Sequence, residues 1–150
     1  MSQTYDNVIL HVIFATKERE RWITPAIKPQ LHGYIVQVIK NNAGRPLAVG
    51  GTDDHVHLLL GIKPAVSIAD AVRKAKAYSS GWIHRNYPEL GDFAWQRGYA
   101  VFSVSESNKQ QVVRYILGQE QHHRQFSVRE EIMKLLEKNG IEYDEKFMWV

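Results

Sequence analysis

Apolar and polar positions follow two rhythms along this chain. Residues 5–15 (YDNVILHVIFA) are dense in β-branched and aromatic side chains and read as a strand. Thr24-Pro25 then has the form of an N-cap followed by proline in the first helical position. The helix it opens runs to about Asn42, with Leu31, Tyr34, Ile35, Val38 and Ile39 on one stripe at 3.6-residue spacing. Residues 46–51 and 55–62 (HVHLLLGI) read as two short strands around the polar pair Asp53-Asp54, hence as a hairpin. Ser67 caps a second helix over about 68–86, and residues 94–105 form a strand interrupted at Gly98. A third helix covers about 109–123. Ser127 and Glu130 form a capping box for a fourth over 128–138, which Asn139-Gly140 stops. The aromatic tail (IEYDEKFMWV) is expected to pack on the body.

The order β α β β α β, then helices, predicts an α+β fold. We expect a ferredoxin-like sandwich with a central antiparallel sheet, helices on one face, and C-terminal helices carrying Tyr115. The second sheet face is left to carry a site. The 150 residues suit one domain, 1–150, large enough to bury about 70% of its unfolded surface. No repeat, low-complexity segment or internal linker divides it.

Composition removes some chemistries. With no cysteine there is no disulfide, thiolate metal site or cysteine nucleophile, and a reducing cytoplasm is allowed. No signal peptide is visible and no stretch approaches a membrane span, so a cytoplasmic protein without a membrane role is expected. A net charge of +3 agrees with a nucleic-acid partner without singling one out.

Two groups of residues can carry chemistry. Side chains alternate along a strand, so His55 and His57 share a face and can share one metal ion; two unrelated histidines would show the same spacing. Asp53 falls on that face if the strand extends back, where it can fix an imidazole tautomer. On the third helix Tyr115 and Gln119 are neighbours at i and i+4, with His122 on the same side and Val112, Val113, Ile116 and Leu117 on a separate apolar arc. A half-exposed surface tyrosine would fit that pattern equally. Gly118 on the polar side leaves room for DNA or another chain. Lys17, Arg19 and Arg21 after the first strand, and Arg73, Lys74 and Lys76 on the second helix, can contact phosphates or form solvated faces. Tyr78 and Trp95 can stack on unpaired bases, whereas Trp82 suits core packing.

The segments GGTDDHVHLLL, FAWQRGYAVFSVS and YILGQEQHH, in this order and spacing, resemble the insertion-sequence-200-like single-tyrosine transposases and their relatives associated with repetitive extragenic palindromes. The likeness runs from the first strand to the IEYDEKF tail. It implies that His55 and His57 are the metal-binding pair of an HUH motif. Tyr115 would be the nucleophile and Gln119 the third metal ligand, with Asp53 and His122 as second-rank candidates. It further implies a divalent ion, Mg²⁺ or Mn²⁺, single-stranded DNA with a hairpin as substrate, and a homodimer, for which the apolar HVIFA strand is a candidate pairing edge and the tyrosine helix can complete the partner's site. The expected reaction is cutting and rejoining of DNA through a 5′-phosphotyrosine link. A non-catalytic or domesticated hairpin-binding protein, a metal-dependent phosphoesterase and a replication or conjugation nickase are the competing readings.

Overall fold

The structure, a computed structural model, describes residues 3–123 and 125–145. Four antiparallel strands, β1 (Ile9–Ala15), β2 (Gly44–Gly51), β3 (His55–Ile62) and β4 (Ala100–Val104), form one sheet in the order β2-β3-β1-β4. The helices are α1 (Lys28–Asn42), α2 (Ile68–Asn86), α3 (Lys109–Leu117), α4 (Gln119–His122) and α5 (Val128–Lys138). This is the expected ferredoxin-like α+β arrangement, with the C-terminal helices added to it.

Every residue of β1 and of β3 is buried. The reason is that both faces of the sheet are covered. Leu10, Val12, Phe14, Val56, Leu58 and Leu60 point to one face, where Ile27, Leu31, Ile35 and Ile39 of the α1 region and Ala71, Val72, Ala75 and Ile83 of α2 close over them. Ile9, Ile13 and Leu59 point to the other. There Ile116 of α3 packs on Ile9 and Leu59, and Val128 and Ile132 of α5 pack on Ile13, Ala100 and Phe102. Each fully buried Ile or Leu contributes about 1.5–3 kcal/mol by leaving water. The second face is therefore not open: a site there lies between the sheet and α3–α5.

Several local expectations shift. β1 runs between β3 and β4 with both edges hydrogen-bonded, so HVIFA is not available to pair across a two-fold axis. Its unbroken apolar run is that of an interior strand. α1 begins at Lys28 rather than after Thr24-Pro25. The N–H groups of Ile27 and Lys28 bond Thr24 O at 3.0 and 2.9 Å, closing a turn, and Pro29, without an N–H, is the proline in the first helical turn. β4 starts only at Ala100, because Gly98 (φ +83) turns the chain out of the extended conformation. The third helix is two, α3 and α4, broken at Gly118, whose N–H is shared by Arg114 O and Tyr115 O. α2 and α5 carry the caps expected of them: Ser67 Oγ accepts from Asp70 N, and Ser127 and Glu130 make the capping box. Tyr143 of the tail packs beside the α5 cluster, and residues 146–150 lie outside the described part.

α3 is seated on β2 through Gly50. A Cβ built there would lie 2.1 Å from Ile116 O, a backbone atom one residue from Tyr115. Gly50→Ala must therefore push α3 off the sheet. Urea unfolding should show a loss of about 1–3 kcal/mol, as overpacking generally does; unchanged stability would mean that α3 is not clamped here.

Candidate active site

β3 aims the imidazoles of His55 and His57 at the second sheet face, where neither is exposed to solvent. His55 Nδ1 lies 2.8 Å from Asp54 Oδ1 and 3.0 Å from Thr52 Oγ1. A carboxylate only accepts, so Asp54 assigns the proton to Nδ1 and turns the Nε2 lone pair inward. That nitrogen is 3.0 Å from Gln119 Oε1. The amide orientation is set by Gln119 Nε2, which donates to Tyr115 O at 3.3 Å. Two acceptors thus face each other, an arrangement that a cation resolves.

His57 is held from both sides. Its Nδ1 is 2.7 Å from His11 Nε2 and its Nε2 is 2.9 Å from Glu131 Oε1. His123 Nε2 reaches the same Oε1 at 3.0 Å. The Tyr115 hydroxyl donates to the other oxygen, Glu131 Oε2. One carboxylate, 2% exposed, thus joins β3, α3, α5 and the end of α4. One ligating atom each of His55, His57, His123 and Glu131 lie within 4.8 Å of one another.

Electrostatics follow from this packing. Burial alone would raise the Glu131 carboxyl, but hydrogen bonds from His123 and His57 outweigh it and hold the group well below the usual carboxylate range. Burial pushes His57 down to about 4 and His11 down to about 3, so both are neutral at pH 7. Burial, the Glu131 charge and the hydrogen bond to Glu131 all push the Tyr115 phenol up, so it is a protonated donor at neutral pH.

The structure brings His55, His57, Tyr115 and Gln119 together, as their spacing allows. Asp53 is not the tautomer-fixing carboxylate. It sits in the turn before β3, half-exposed and 3.9 Å from Arg21, and its neighbour Asp54 takes the role. His122 stacks edge-on to Tyr115 with centroids 5.3 Å apart, and its Nε2 is 3.4 Å from Glu131 Oε2. His11, His123 and Glu131 are site residues that the sequence reading did not single out. Two of them had a signal: His11 interrupts an apolar strand, and Glu131 falls on the apolar stripe Val128, Ile132, Leu135 of its own helix.

The basic and aromatic candidates divide. Arg19 and Arg21 line an open cleft that reaches His123 and Asp54, together with Lys28. Lys17 lies on the same loop, with its N–H bonded to Ala94 O. Arg73 and Lys74 pair with Asp70 on α2, across the sheet from Tyr115. Lys76 Nζ donates to Gln96 O and Gly98 O, pinning the approach to β4. Trp95 is structural: Nε1 donates to Ser79 Oγ and the ring meets Phe14 and Phe93 edge-on. Trp82 stacks on Tyr34, and Tyr78 stays exposed.

Residues 4–119 match the family model of IS200-like transposases. The chain belongs to the IS200-like transposase family. It is a DNA-processing enzyme by that membership. It is similar to the ISDra2 transposase TnpA of Deinococcus radiodurans, 28% identical over 114 residues, covering 73% of this chain and 81% of that protein. A solved structure from Deinococcus radiodurans R1, assigned as a transposase, superposes with a TM-score of 0.64 at 29% identity, covering 77% of this chain and 94% of that one. A tyrosine transposase bound to a REP hairpin shares the fold, with a TM-score of 0.57 at 14% identity over 77% of this chain and 70% of that one. Among the described residues no helix is long and apolar enough to cross a membrane.

The buried histidines make stability acid-sensitive. Burial holds His11, His32 and His57 neutral down to about 3, 4 and 4, whereas the unfolded chain protonates them near 6.5. The unfolded state therefore binds more protons below pH 6.5, and stability falls as pH drops from 6.5 towards 4. His123 is raised by its hydrogen bond to Glu131 and opposes this, but His122 is lowered by burial as well, so the lowered histidines outnumber the raised one. Urea midpoints should fall steadily between pH 7 and pH 4.5; a midpoint that rose on acidification would contradict the network.

Proposed function

We propose that this chain is a single-strand DNA transposase that cuts and rejoins DNA beside a hairpin through Tyr115, with a divalent cation, Mg²⁺ or Mn²⁺, held by His55, His57 and Gln119. The observation that carries the reading is Tyr115, its ring beside that of buried His57 and its hydroxyl bonded to buried Glu131, in a chain of the IS200-like family.

The donor set fits a cation. His55 Nε2 and Gln119 Oε1, both acceptors, are 3.0 Å apart. Neighbouring ligands of an octahedral ion with bonds of about 2.1 Å stand about 3.0 Å apart. Imidazole and amide oxygen together suit Mn²⁺ or Mg²⁺. Held by His55, His57 and Gln119, such a cation would supply charge compensation at a phosphate oxygen and help to orient the phosphate for in-line attack.

The chain's own residues do the rest. The Tyr115 oxygen attacks the scissile phosphorus, a tyrosine–phosphate bond forms, the bond to the 3′ oxygen breaks, and the phenol proton ends on that oxygen. The products are a 5′-phosphotyrosine and a free 3′-hydroxyl. One phosphodiester is exchanged for another, so the reverse attack rejoins a strand without an added energy source. α3, clamped at Gly50, and Gln119, bonded to Tyr115 O, hold the phenol over β3. Lys17 and Arg19 stand on the loop beside the cleft and are assigned to phosphates near the cut. Arg73, Lys74 and Lys76 on α2 are assigned to DNA farther away. The neighbouring fold that carries a REP hairpin supports hairpin DNA as substrate. A homodimer is the proposed assembly, formed without β1.

End-labelled single-stranded hairpin oligonucleotides from the DNA flanking the gene, incubated with the protein and Mn²⁺, should give a denaturation-resistant protein–DNA adduct. Tyr115→Phe should give none. Equal cutting by both proteins would favour a phosphoesterase. DNA bound but never cut, with EDTA without effect, would make the chain a hairpin-binding module.

A further inference from the structure

The family match ends at residue 119, yet the centre it describes does not end there. Glu131 and His123 lie beyond it and supply two of the four atoms that converge within 4.8 Å. Glu131 Oε1 is 2.9 Å from His57 Nε2, 3.0 Å from His123 Nε2 and 3.5 Å from His55 Nε2. Hydrogen bonding alone does not account for all three. Asp54 takes the proton of His55 on Nδ1, so His55 Nε2 presents a lone pair to Glu131 Oε1 and to Gln119 Oε1 alike. Two acceptor oxygens therefore stand 3.0 and 3.5 Å from the lone pair of one buried imidazole nitrogen. The short separations match neighbouring ligands around one ion, by the same geometry that fits His55 and Gln119.

Charge points the same way. A dication held only by two imidazoles and an amide would be buried with its full charge, which is costly. An ionised carboxylate at the same point removes half of it and adds the oxygen donor that Mg²⁺ and Mn²⁺ favour.

We propose that Glu131 of α5 and His123 at the end of α4 are ligands of the same ion as His55 and His57. The C-terminal helix then completes the metal centre from within one chain. The second oxygen of Glu131, which accepts from the Tyr115 hydroxyl, ties the nucleophile to that centre. Glu131 thus positions Tyr115 as well as binding the ion. This rests on the metal-dependent reading above, from which its test must be separable.

Mn²⁺ binding to the purified full-length protein, followed by the loss of the free-ion electron paramagnetic resonance signal, reads this without DNA or turnover. Wild type should bind one Mn²⁺. Glu131→Gln and His123→Ala should each weaken binding about tenfold or more, the range that loss of support around a metal gives even without removal of a ligand. Wild-type affinity in both variants, with binding lost in His57→Ala, would overturn the proposal and leave the metal reading intact. Wild-type affinity in His57→Ala would overturn both. If circular dichroism shows that Glu131→Gln does not fold, the wild type decides by pulsed resonance with ¹⁵N-histidine. Three imidazole nitrogens on Mn²⁺ are expected, and two would overturn the role of His123 and with it the completed centre.

Discussion

The Glu131 carboxylate is ionised and almost wholly out of water, a condition the interior tolerates only where partners surround it. Those partners come from elements far apart in sequence: His57 from β3, Tyr115 from α3, His123 from the end of α4. Removing solvent from one charge thereby fixes the relative positions of the central strand, the tyrosine helix and the C-terminal helix. Double coverage of the sheet follows from the same constraint, because α3 and α5 must lie on the histidine face to reach the carboxylate. Hydrogen bonds to a charged group are stronger than neutral ones, and the geometry they impose is correspondingly definite.

Rigidity at this point suits the chemistry of an IS200-like transposase. In the proposed reaction the Tyr115 phenol, its pKa raised, is a poor nucleophile at neutral pH, so alignment and charge compensation must stand in for intrinsic reactivity. Gly50 lets α3 sit directly on β2, Gln119 bonds the backbone of Tyr115, and Asp54 fixes the tautomer of His55. Each acts on a different atom of the same small volume. The cleft lined by Arg19, Arg21 and Lys28 opens beside it, at Asp54 and His123.

Much of this was legible in the chain, and the exceptions have physical causes. Alternation along β3 put His55 and His57 on one face, and helical spacing put Tyr115 beside Gln119, because both relations are local. Asp53 was the natural choice for a second carboxylate by strand parity, but residues 52–54 turn rather than extend, so parity fails and Asp54 reaches the imidazole. The glycine break at 118 shortened a helix that periodicity ran through. β1 read as a candidate edge, although an apolar run on both parities is the mark of a strand covered on both faces. For Glu131 the helical stripe signalled burial but not the partner. It lies 74 residues from His57, and only the packing of α5 onto the sheet makes them neighbours.

Mass spectrometry of the peptide carrying trapped DNA tests the central claim most directly. After reaction with a hairpin oligonucleotide and nuclease trimming, a nucleotide phosphate should be found on Tyr115, in the last turn of α3, and on no other residue. A modified peptide elsewhere in the chain, or adduct on a different tyrosine with Tyr115 unmodified, would contradict Tyr115 as the nucleophile and the site built around it.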